Sequence, residues 1–146
     1  WVYDDVEVFG NAQVFGNAKV FDDARVSGNT RIFDDAQVFG NVWVYDDVEV
    51  FGNAQVFGNA KVSGKAWVYD NAQISGNTKV FDNAQVFGNA EVFGKARVYD
   101  NARVYDNARV FGKAQVAGNA QVFGKAQVYD DAVTNNAQVS SNKHLR

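Results

Sequence analysis

The chain has no cysteine, no methionine and a single histidine among its 146 residues. Without cysteine it can form no disulfide bond and offers no thiolate ligand to a metal ion. The one histidine, His144, lies in a polar C-terminal tail, so residues 1–132 lack the side chain most often used as a general base. The sequence also shows no Ser/His/Asp set and no glycine-rich loop for phosphate. We therefore predict that the chain is not an enzyme and binds no cofactor.

Two kinds of partner are disfavoured by composition. The sequence contains no apolar run of the length that spans a membrane, which takes about 20 residues. The formal net charge of −3 is close to neutral, whereas proteins that bind nucleic acid usually present a strongly basic surface. We therefore expect neither a membrane span nor a nucleic-acid partner.

What the chain does contain is one six-residue unit, repeated from residue 1 to residue 132. The unit at residues 12–17, Ala-Gln-Val-Phe-Gly-Asn, recurs unchanged at residues 36–41, 54–59 and 84–89. Repetition at a short fixed period is typical of a solenoid, in which each unit packs on its neighbours. Because the chain opens within a unit, we expect that residue 1 is not the translation start. Either a longer chain was processed, or the repeat array was cut at this point.

Each column of the repeat has a fixed character. One column of 22 positions is valine or isoleucine throughout, and the position two residues earlier is small throughout. The position after the valine holds every phenylalanine and tyrosine of the chain. Because side chains alternate along a strand, the valine and small columns face one side and the aromatic column faces the other. We predict Val14, Val50 and Ala54 inside the fold, with Phe15 and Gln13 outside.

The two remaining positions of each unit predict a tight turn. They are glycine or aspartate followed by asparagine, aspartate or lysine, and several of these residues tolerate positive φ or bond their own backbone. A helix is excluded, because six-residue spacing does not keep to one face of a 3.6-residue period and a Gly-Asn pair would break it. The unit is therefore a short strand followed by a turn, repeated 22 times.

With an aliphatic residue every sixth position, a small residue two positions before it, and glycine and asparagine between, the chain resembles the hexapeptide-repeat family over residues 1–132. The resemblance implies an all-β, single-domain, left-handed parallel β-helix, in which three strands form a triangular coil of 18 residues. About 7–8 such coils are expected. The chain departs from the family in carrying Phe or Tyr after the aliphatic residue, where the family often has a small or acidic one.

The periodic pattern first slips after Ala132, where the unit that follows is one residue short. We therefore divide the chain into a β-solenoid at residues 1–132 and an irregular last coil with a C-terminal tail at residues 133–146. Acyltransferases of the hexapeptide-repeat family use a histidine held within the β-helix, commonly beside a loop insertion. Residues 1–132 contain neither, so no catalytic residue of the family can be assigned to this chain.

At 18-residue spacing the aromatic column forms three ladders, of which one is unbroken and two are interrupted by serine or alanine. Stacked rings stabilise successive coils, which is one interpretation of all three ladders. An unbroken row of rings also exceeds the apolar patch usual on a soluble monomer, which favours burial against another chain. Stacking on carbohydrate is a third interpretation, weakened by the preponderance of Phe. The interface predicted from the unbroken ladder comprises Phe15, Phe33, Phe51, Tyr69, Phe87, Tyr105 and Phe123.

Four carboxylates fall on one edge of adjacent coils, at the one place where two turns that each contain a pair of aspartates follow each other. Hard cations such as calcium accept clusters of oxygen ligands, so these residues are the candidate metal site. Aspartate is equally a good turn residue, and a solvated turn with at most weak calcium binding is expected. The four residues are Asp4, Asp5, Asp22 and Asp23.

These observations favour a non-enzymatic structural β-solenoid rod that self-associates, laterally or end to end, as a segment of a fibre or scaffold. An uncapped first coil is expected to take part, because it exposes unpaired strand N–H and C=O groups. The partner is then another copy of the chain, in an extracellular or surface fibre. Two alternatives are left open: a surface-binding or glycan-binding adhesin module that uses the exposed aromatic ladders, and the β-helix portion of an acyltransferase whose active site lies elsewhere.

Overall fold

A computed structural model of the chain describes residues 1–140 and, as backbone, residues 144–145. These residues form 24 short strands and no helix, which confirms the all-β class. A helix long and apolar enough to cross a membrane is accordingly absent from this part of the chain.

Most strands are two residues long and coincide with the polar and valine columns of the repeat. The first eight are β1 (Glu7–Val8), β2 (Gln13–Val14), β3 (Lys19–Phe21), β4 (Arg25–Val26), β5 (Arg31–Ile32), β6 (Gln37–Gly40), β7 (Trp43–Val44) and β8 (Glu49–Val50). The next eight are β9 (Gln55–Gly58), β10 (Lys61–Val62), β11 (Trp67–Val68), β12 (Gln73–Ile74), β13 (Lys79–Val80), β14 (Gln85–Val86), β15 (Glu91–Val92) and β16 (Arg97–Val98). The last eight are β17 (Arg103–Val104), β18 (Arg109–Val110), β19 (Gln115–Ala117), β20 (Gln121–Val122), β21 (Gln127–Val128), β22 (Val133–Asn135), β23 (Gln138–Val139) and β24 (His144–Leu145).

The strands assemble into three parallel sheets of eight, each strand pairing with the strand one coil further along. Sheet 1 runs β1-β4-β7-β10-β13-β16-β19-β22, sheet 2 runs β2-β5-β8-β11-β14-β17-β20-β23, and sheet 3 runs β3-β6-β9-β12-β15-β18-β21-β24. Trp67, for example, pairs with Glu49 on one side and Gln85 on the other, 18 residues away in each direction. The solenoid with three strands to an 18-residue coil is therefore confirmed.

The interior consists of the valine and small columns, as the alternation predicts. Val50 and Ala54 are completely buried, whereas Phe15 is 42 % exposed and Gln13 is exposed. Val14 is only partly buried, because the first coil has a neighbouring coil on one side alone. Complete burial of a valine is worth about 1.5–3 kcal/mol, and the stack of coils repeats this contribution along its length.

The corners of the coil are made by a residue in the left-handed region of φ. Every residue of the glycine-or-aspartate column has a positive φ, including Gly52 at 69° and Asp34 at 59°. At most corners the residue that follows donates its backbone N–H to the next coil, as Asn53 does to the carbonyl oxygen of Asp70 at 2.7 Å. Successive coils are therefore hydrogen-bonded at the corners as well as along the strands.

The last coil continues the three sheets with one residue fewer. Gln115 pairs with Val133 at a spacing of 18 residues, but Gln121 pairs with Gln138 at a spacing of 17. The shorter unit that the sequence indicates is thus absorbed in the turn before β23. The segment 133–146 contributes β22, β23 and β24, while residues 141–143 and 146 lie outside the described residues. The division of the chain at residue 132 stays a prediction.

Candidate functional site: the aromatic ladders

The seven residues predicted as an interface form one continuous stack of rings, the unbroken ladder. Each ring follows a strand of sheet 2, and parallel pairing in register places each ring above the equivalent one in the preceding coil. Neighbouring ring centroids are 4.8–5.3 Å apart and their planes lie within 2–7° of each other. The stack runs through Phe15, Phe33, Phe51, Tyr69, Phe87, Tyr105 and Phe123.

The spacing of the unbroken ladder is set by the backbone. Paired strands lie about 4.8 Å apart, so identical rotamers in successive coils bring the rings into face-to-face contact without further adjustment. Each stacked pair contributes about 0.5–1.5 kcal/mol beyond the area that it buries. From Phe33 onward these residues are half-buried, so part of each remains exposed to solvent.

The other two ladders are interrupted. On sheet 3, Ser75 separates a run of four stacked rings from a run of three, with centroid distances of 4.9–5.2 Å within each run. On sheet 1, Ser27, Ser63 and Ala117 leave Phe81 and Tyr99 as the one pair of adjacent rungs, 5.0 Å apart. The unbroken ladder is therefore the longest continuous aromatic surface in the described part of the chain.

Polar and aromatic side chains of sheet 2 lie against the unbroken ladder. The Arg31 guanidinium lies 5.6 Å from the ring centroid of Phe15 and 5.1 Å from that of Phe33. Arg31 also forms an ion pair with Glu49 at 3.2 Å, so its charge is balanced beside the rings. Trp67 meets Phe51 edge to face at 6.5 Å. These contacts were not predicted from the sequence, although the 18-residue spacing from Arg31 to Glu49 indicates the ion pair.

The unbroken ladder contains two tyrosines, Tyr69 and Tyr105, and both are half-buried. Burial raises the pKa of Tyr69 above its ordinary value of 10.0, Asp70 adds to this rise, and Arg103 opposes it. The Tyr69 hydroxyl is therefore neutral at physiological pH. Tyr105 donates a hydrogen bond of 3.2 Å to Oε1 of Gln121 in the neighbouring coil. The two tyrosines thus add hydroxyl groups to the otherwise apolar ladder.

The four candidate metal ligands occupy corner positions and are not assembled into a cation site. Asp4 and Asp22 have positive φ, at 67° and 62°, and each is followed by an exposed aspartate. Oδ2 of Asp22 accepts a hydrogen bond of 3.2 Å from the backbone N–H of Gly40. Across residues 1–140, no group of three or more histidine, cysteine, aspartate or glutamate side chains is placed to hold a metal ion. The expectation of at most weak calcium binding by these residues stays a prediction.

Asparagine side chains form further ladders along the corners. Nδ2 of Asn53 donates to Oδ1 of Asn71 at 3.2 Å, and Nδ2 of Asn71 donates to Oδ1 of Asn89 at 3.3 Å. The same arrangement joins Asn83 and Asn101. The turn pattern alone does not indicate these hydrogen bonds, but the recurrence of asparagine at 18-residue spacing is a signal that could have predicted the ladders. They stabilise the stack of coils and present no reactive group.

Comparison with known proteins agrees with the repeat and the fold. A family model described as YdcK Beta solenoid repeat matches residues 54–70, 96–110 and 102–118. A comparison with curated proteins finds no match. The match to the repeat, together with the three-sheet coil, confirms the predicted resemblance to hexapeptide-repeat β-solenoids.

Three solved structures are similar over most of this chain at low sequence identity. A hexapeptide transferase family protein from Anaplasma phagocytophilum is 16 % identical, with a TM-score of 0.49, over 95 % of this chain and 72 % of that one. The acetyltransferase domain of PglB from Neisseria gonorrhoeae is 17 % identical, with a TM-score of 0.48, over 90 % of this chain and 55 % of that one. Arabidopsis UDP-N-acetylglucosamine acyltransferase is 13 % identical, with a TM-score of 0.39, over 97 % and 71 %.

Proposed function

We propose, from the premise that this chain is a hexapeptide-repeat β-solenoid, that it is a non-enzymatic structural rod that self-associates laterally through the unbroken ladder. The observation that carries the proposal is the continuity of that ladder, whose six successive ring pairs are all stacked within 4.8–5.3 Å. The rings form a straight apolar strip on the order of 30 Å long on the outside of a rigid rod. A strip of this kind fits an equally straight strip on a second copy.

The rings of the strip are already ordered, which favours association. A side chain that is immobilised on binding costs about 0.5–1.5 kcal/mol of conformational entropy, and a stacked ring has lost most of that freedom before a partner arrives. Tyr69 and Phe87, for example, are held between neighbours at 5.0 and 4.8 Å. Burial of their open edges therefore stabilises a complex at little entropic cost.

Electrostatics present little obstacle to pairing of identical copies. The formal net charge of −3 is spread along the whole rod, and at 0.15 M salt repulsion between exposed charges is screened beyond about 8 Å. Beside the strip, the charge of Arg31 is matched by that of Glu49. Two strips can therefore approach without placing an unpaired charge from this ion pair between them.

Self-association is favoured over glycan binding, because cations cover the exposed tryptophan of sheet 1. Trp43 is 41 % exposed, but Arg25 from the preceding coil and Lys61 from the following coil lie over its ring at 5.3 and 4.5 Å. Cations on both sides of the ring occupy the surfaces on which a sugar would stack. The unbroken ladder offers mainly Phe edges, which lack polar groups for sugar hydroxyls.

The proposal is tested by sedimentation velocity, light scattering and electron microscopy of the purified chain over a range of concentrations. The test variant replaces Phe51, Tyr69 and Phe87 by Ser, and the matched control replaces Phe21, Phe39 and Phe57 of the sheet 3 ladder by Ser. Both variants lose a similar number of stacked pairs, so a general loss of stability affects both. The parent and the control are expected to associate side by side, while the test variant stays monomeric. A parent chain that is a monodisperse monomer at high micromolar concentration overturns the proposal.

A further inference from the structure

A groove of about 530 Å³ opens on the outer face of sheet 1 at the position where Ser27 interrupts the aromatic ladder. Phe9 in the coil before and Tyr45 in the coil after both line this groove. Ser27 occupies the rung between them, where the other ladders carry a ring. The missing ring at Ser27 therefore opens one part of this groove, and the gaps between the surrounding side chains supply the rest.

The dimensions of the missing rung follow from the ladder geometry. Where rungs are filled, adjacent ring centroids are 4.8–5.3 Å apart with planes 1–7° from parallel. Phe9 and Tyr45 are two strand spacings apart, which corresponds to roughly 10 Å. A single planar ring placed midway lies about 5 Å from each, within the range in which aromatic rings attract one another.

One wall of the groove is a row of four side chains held together by their own contacts. Glu7 and Arg25 form an ion pair at 3.1 Å, the Arg25 guanidinium lies 5.3 Å from the Trp43 ring, and the Lys61 ammonium lies 4.5 Å from the same ring. These residues occupy equivalent positions in β1, β4, β7 and β10, so in-register pairing places them in line. These contacts link the four side chains into one continuous wall.

The charges around the groove balance. The cations Arg25 and Lys61 are accompanied by the carboxylates Glu7 and Asp46, all of which line the groove. The lining therefore has no net charge with which to attract an anion or a cation. Both faces of Trp43 are covered by the two cations, so the free stacking surfaces are those of Phe9 and Tyr45.

We propose that this groove binds a small, uncharged, planar aromatic molecule, whose ring takes the place of the missing rung and stacks between Phe9 and Tyr45. The gap admits one flat ring, whereas a puckered aliphatic ring lacks the π faces that make the stacked arrangement favourable. Ser27 lines the groove, and its hydroxyl provides a polar partner for a hydroxyl or ring nitrogen of the ligand. The site is independent of the proposed lateral association, because the unbroken ladder follows sheet 2.

The test is a titration of the full chain with 2-naphthol, followed by amide chemical shifts in two-dimensional NMR and by tyrosine and tryptophan fluorescence. Cyclohexylmethanol, an apolar alcohol without a π system, is the control probe, and methyl glucoside is the sugar probe. Saturable shifts centred on Ser27, Gly28 and Tyr45 are expected with 2-naphthol. At least about fivefold weaker binding is expected with the other two probes.

The blocking variant is Ser27→Phe, which supplies the missing rung from the chain itself. Phenylalanine is the commonest residue of this column, so the variant is expected to fold and to bind 2-naphthol at least about tenfold more weakly. Ser75→Phe fills the vacancy on sheet 3 and is the matched control, with binding unchanged. A second variant, Phe9→Ala, removes one stacking face and is expected to weaken binding even if Ser27→Phe fails to fold.

Three outcomes overturn the proposal. The first is the absence of saturable binding of 2-naphthol at its solubility limit. The second is equal affinity for cyclohexylmethanol or methyl glucoside, which indicates apolar adsorption or a sugar site instead of ring stacking. The third is unchanged affinity in Ser27→Phe when that variant is folded, or in Phe9→Ala. If Ser27→Phe also strengthens association between copies, the binding result can still be read, because NMR reports the shifts at Gly28 and Tyr45 separately from those of other residues.

Discussion

Oδ2 of Asp34 accepts a hydrogen bond of 3.2 Å from the backbone N–H of Gly52, the residue that occupies the equivalent corner in the next coil. Both residues have positive φ, at 59° and 69°. The aspartate thus tolerates the left-handed corner and also provides an acceptor for an N–H that the corner leaves without a strand partner. Six further aspartates of this column make the same contact to the next coil. Aspartate and glycine both fit this column, because glycine adopts the left-handed φ freely and aspartate adds a hydrogen bond to the next coil.

Replacing Asp34 by Ala is expected to lower the free energy of unfolding by about 1–2 kcal/mol. The variant loses the hydrogen bond to Gly52 and places a residue without a local polar side chain in the left-handed region. Asp34→Gly is the matched control, because glycine adopts this φ freely and recovers part of the loss. Chemical denaturation of the three proteins gives the comparison. An alanine variant as stable as the parent contradicts this role for the carboxylate.

Successive corners lie very close together at Gly64, where a Cβ atom would lie 2.7 Å from the backbone nitrogen of Asp82. Gly64→Ala is therefore expected to destabilise the chain by about 2–4 kcal/mol, the sum of the left-handed φ and the displacement of neighbouring backbone. At Gly58 the nearest backbone atom would be 3.0 Å away, so Gly58→Ala is the milder control. Thermal unfolding measured by circular dichroism ranks the two variants. The reverse order is inconsistent with the crowding at Gly64.

The architecture was predictable from sequence because two independent periodicities agree. The period of two within a unit places Val50 and Ala54 inside, and the period of 18 aligns Phe15 with Phe33. Both follow from backbone geometry, since strand side chains alternate and parallel strands pair in register. The continuous stack of the predicted interface residues follows from the same alignment, whereas its role in association stays a prediction.

The hydrogen bonds at the corners and the contacts between neighbouring columns could not be predicted, because they depend on the direction in which each side chain points. The aspartates were interpreted as solvated turn residues, but a corner φ near 60° also directs the carboxylate of Asp70 to the N–H of Gly88, 3.2 Å away. The placement of Trp43 between Arg25 and Lys61 depends on rotamers, which a one-letter pattern does not contain. The strand at His144–Leu145 was missed because the tail has no repeat pattern.

Calcium is expected to have little effect on stability. Asp22 already accepts a hydrogen bond from Gly40, so a cation at Asp4, Asp5, Asp22 and Asp23 must compete with that contact. Binding to the folded state alone raises the melting temperature in proportion to its affinity, so weak binding raises it by no more than a few degrees at millimolar calcium. Differential scanning calorimetry with calcium, and with magnesium as control, measures this. A larger rise that disappears in Asp22→Asn identifies a calcium site and refutes the expectation.

The free energy of unfolding is expected to fall at high pH through Tyr69. Burial, reinforced by Asp70, raises the folded-state pKa of this hydroxyl above 10.0, so the folded state favours the protonated form. This contribution is fully present below the unfolded pKa and is lost as pH rises through the folded pKa. Tyr69→Phe keeps the stacked ring and removes the titrating group. The stability difference between parent and variant is therefore constant at neutral pH and changes above pH 10; a flat difference up to pH 12 excludes the shift.

The salt and temperature dependence of association distinguishes an apolar strip from charge pairing. If copies associate through the unbroken ladder, the association constant should change little between 0.05 and 0.5 M sodium chloride, because screening acts on exposed charges. The association constant should rise on addition of ammonium sulfate and on warming from 5 to 25 °C, because both changes strengthen the stabilisation gained by burying apolar surface. Sedimentation velocity under these conditions, with the variant in which Phe51, Tyr69 and Phe87 are Ser as the baseline, gives the measurement. A steep fall in the association constant with sodium chloride indicates ion pairs between copies. Charged residues beside the strip, such as Arg31 and Arg103, are then the positions to substitute.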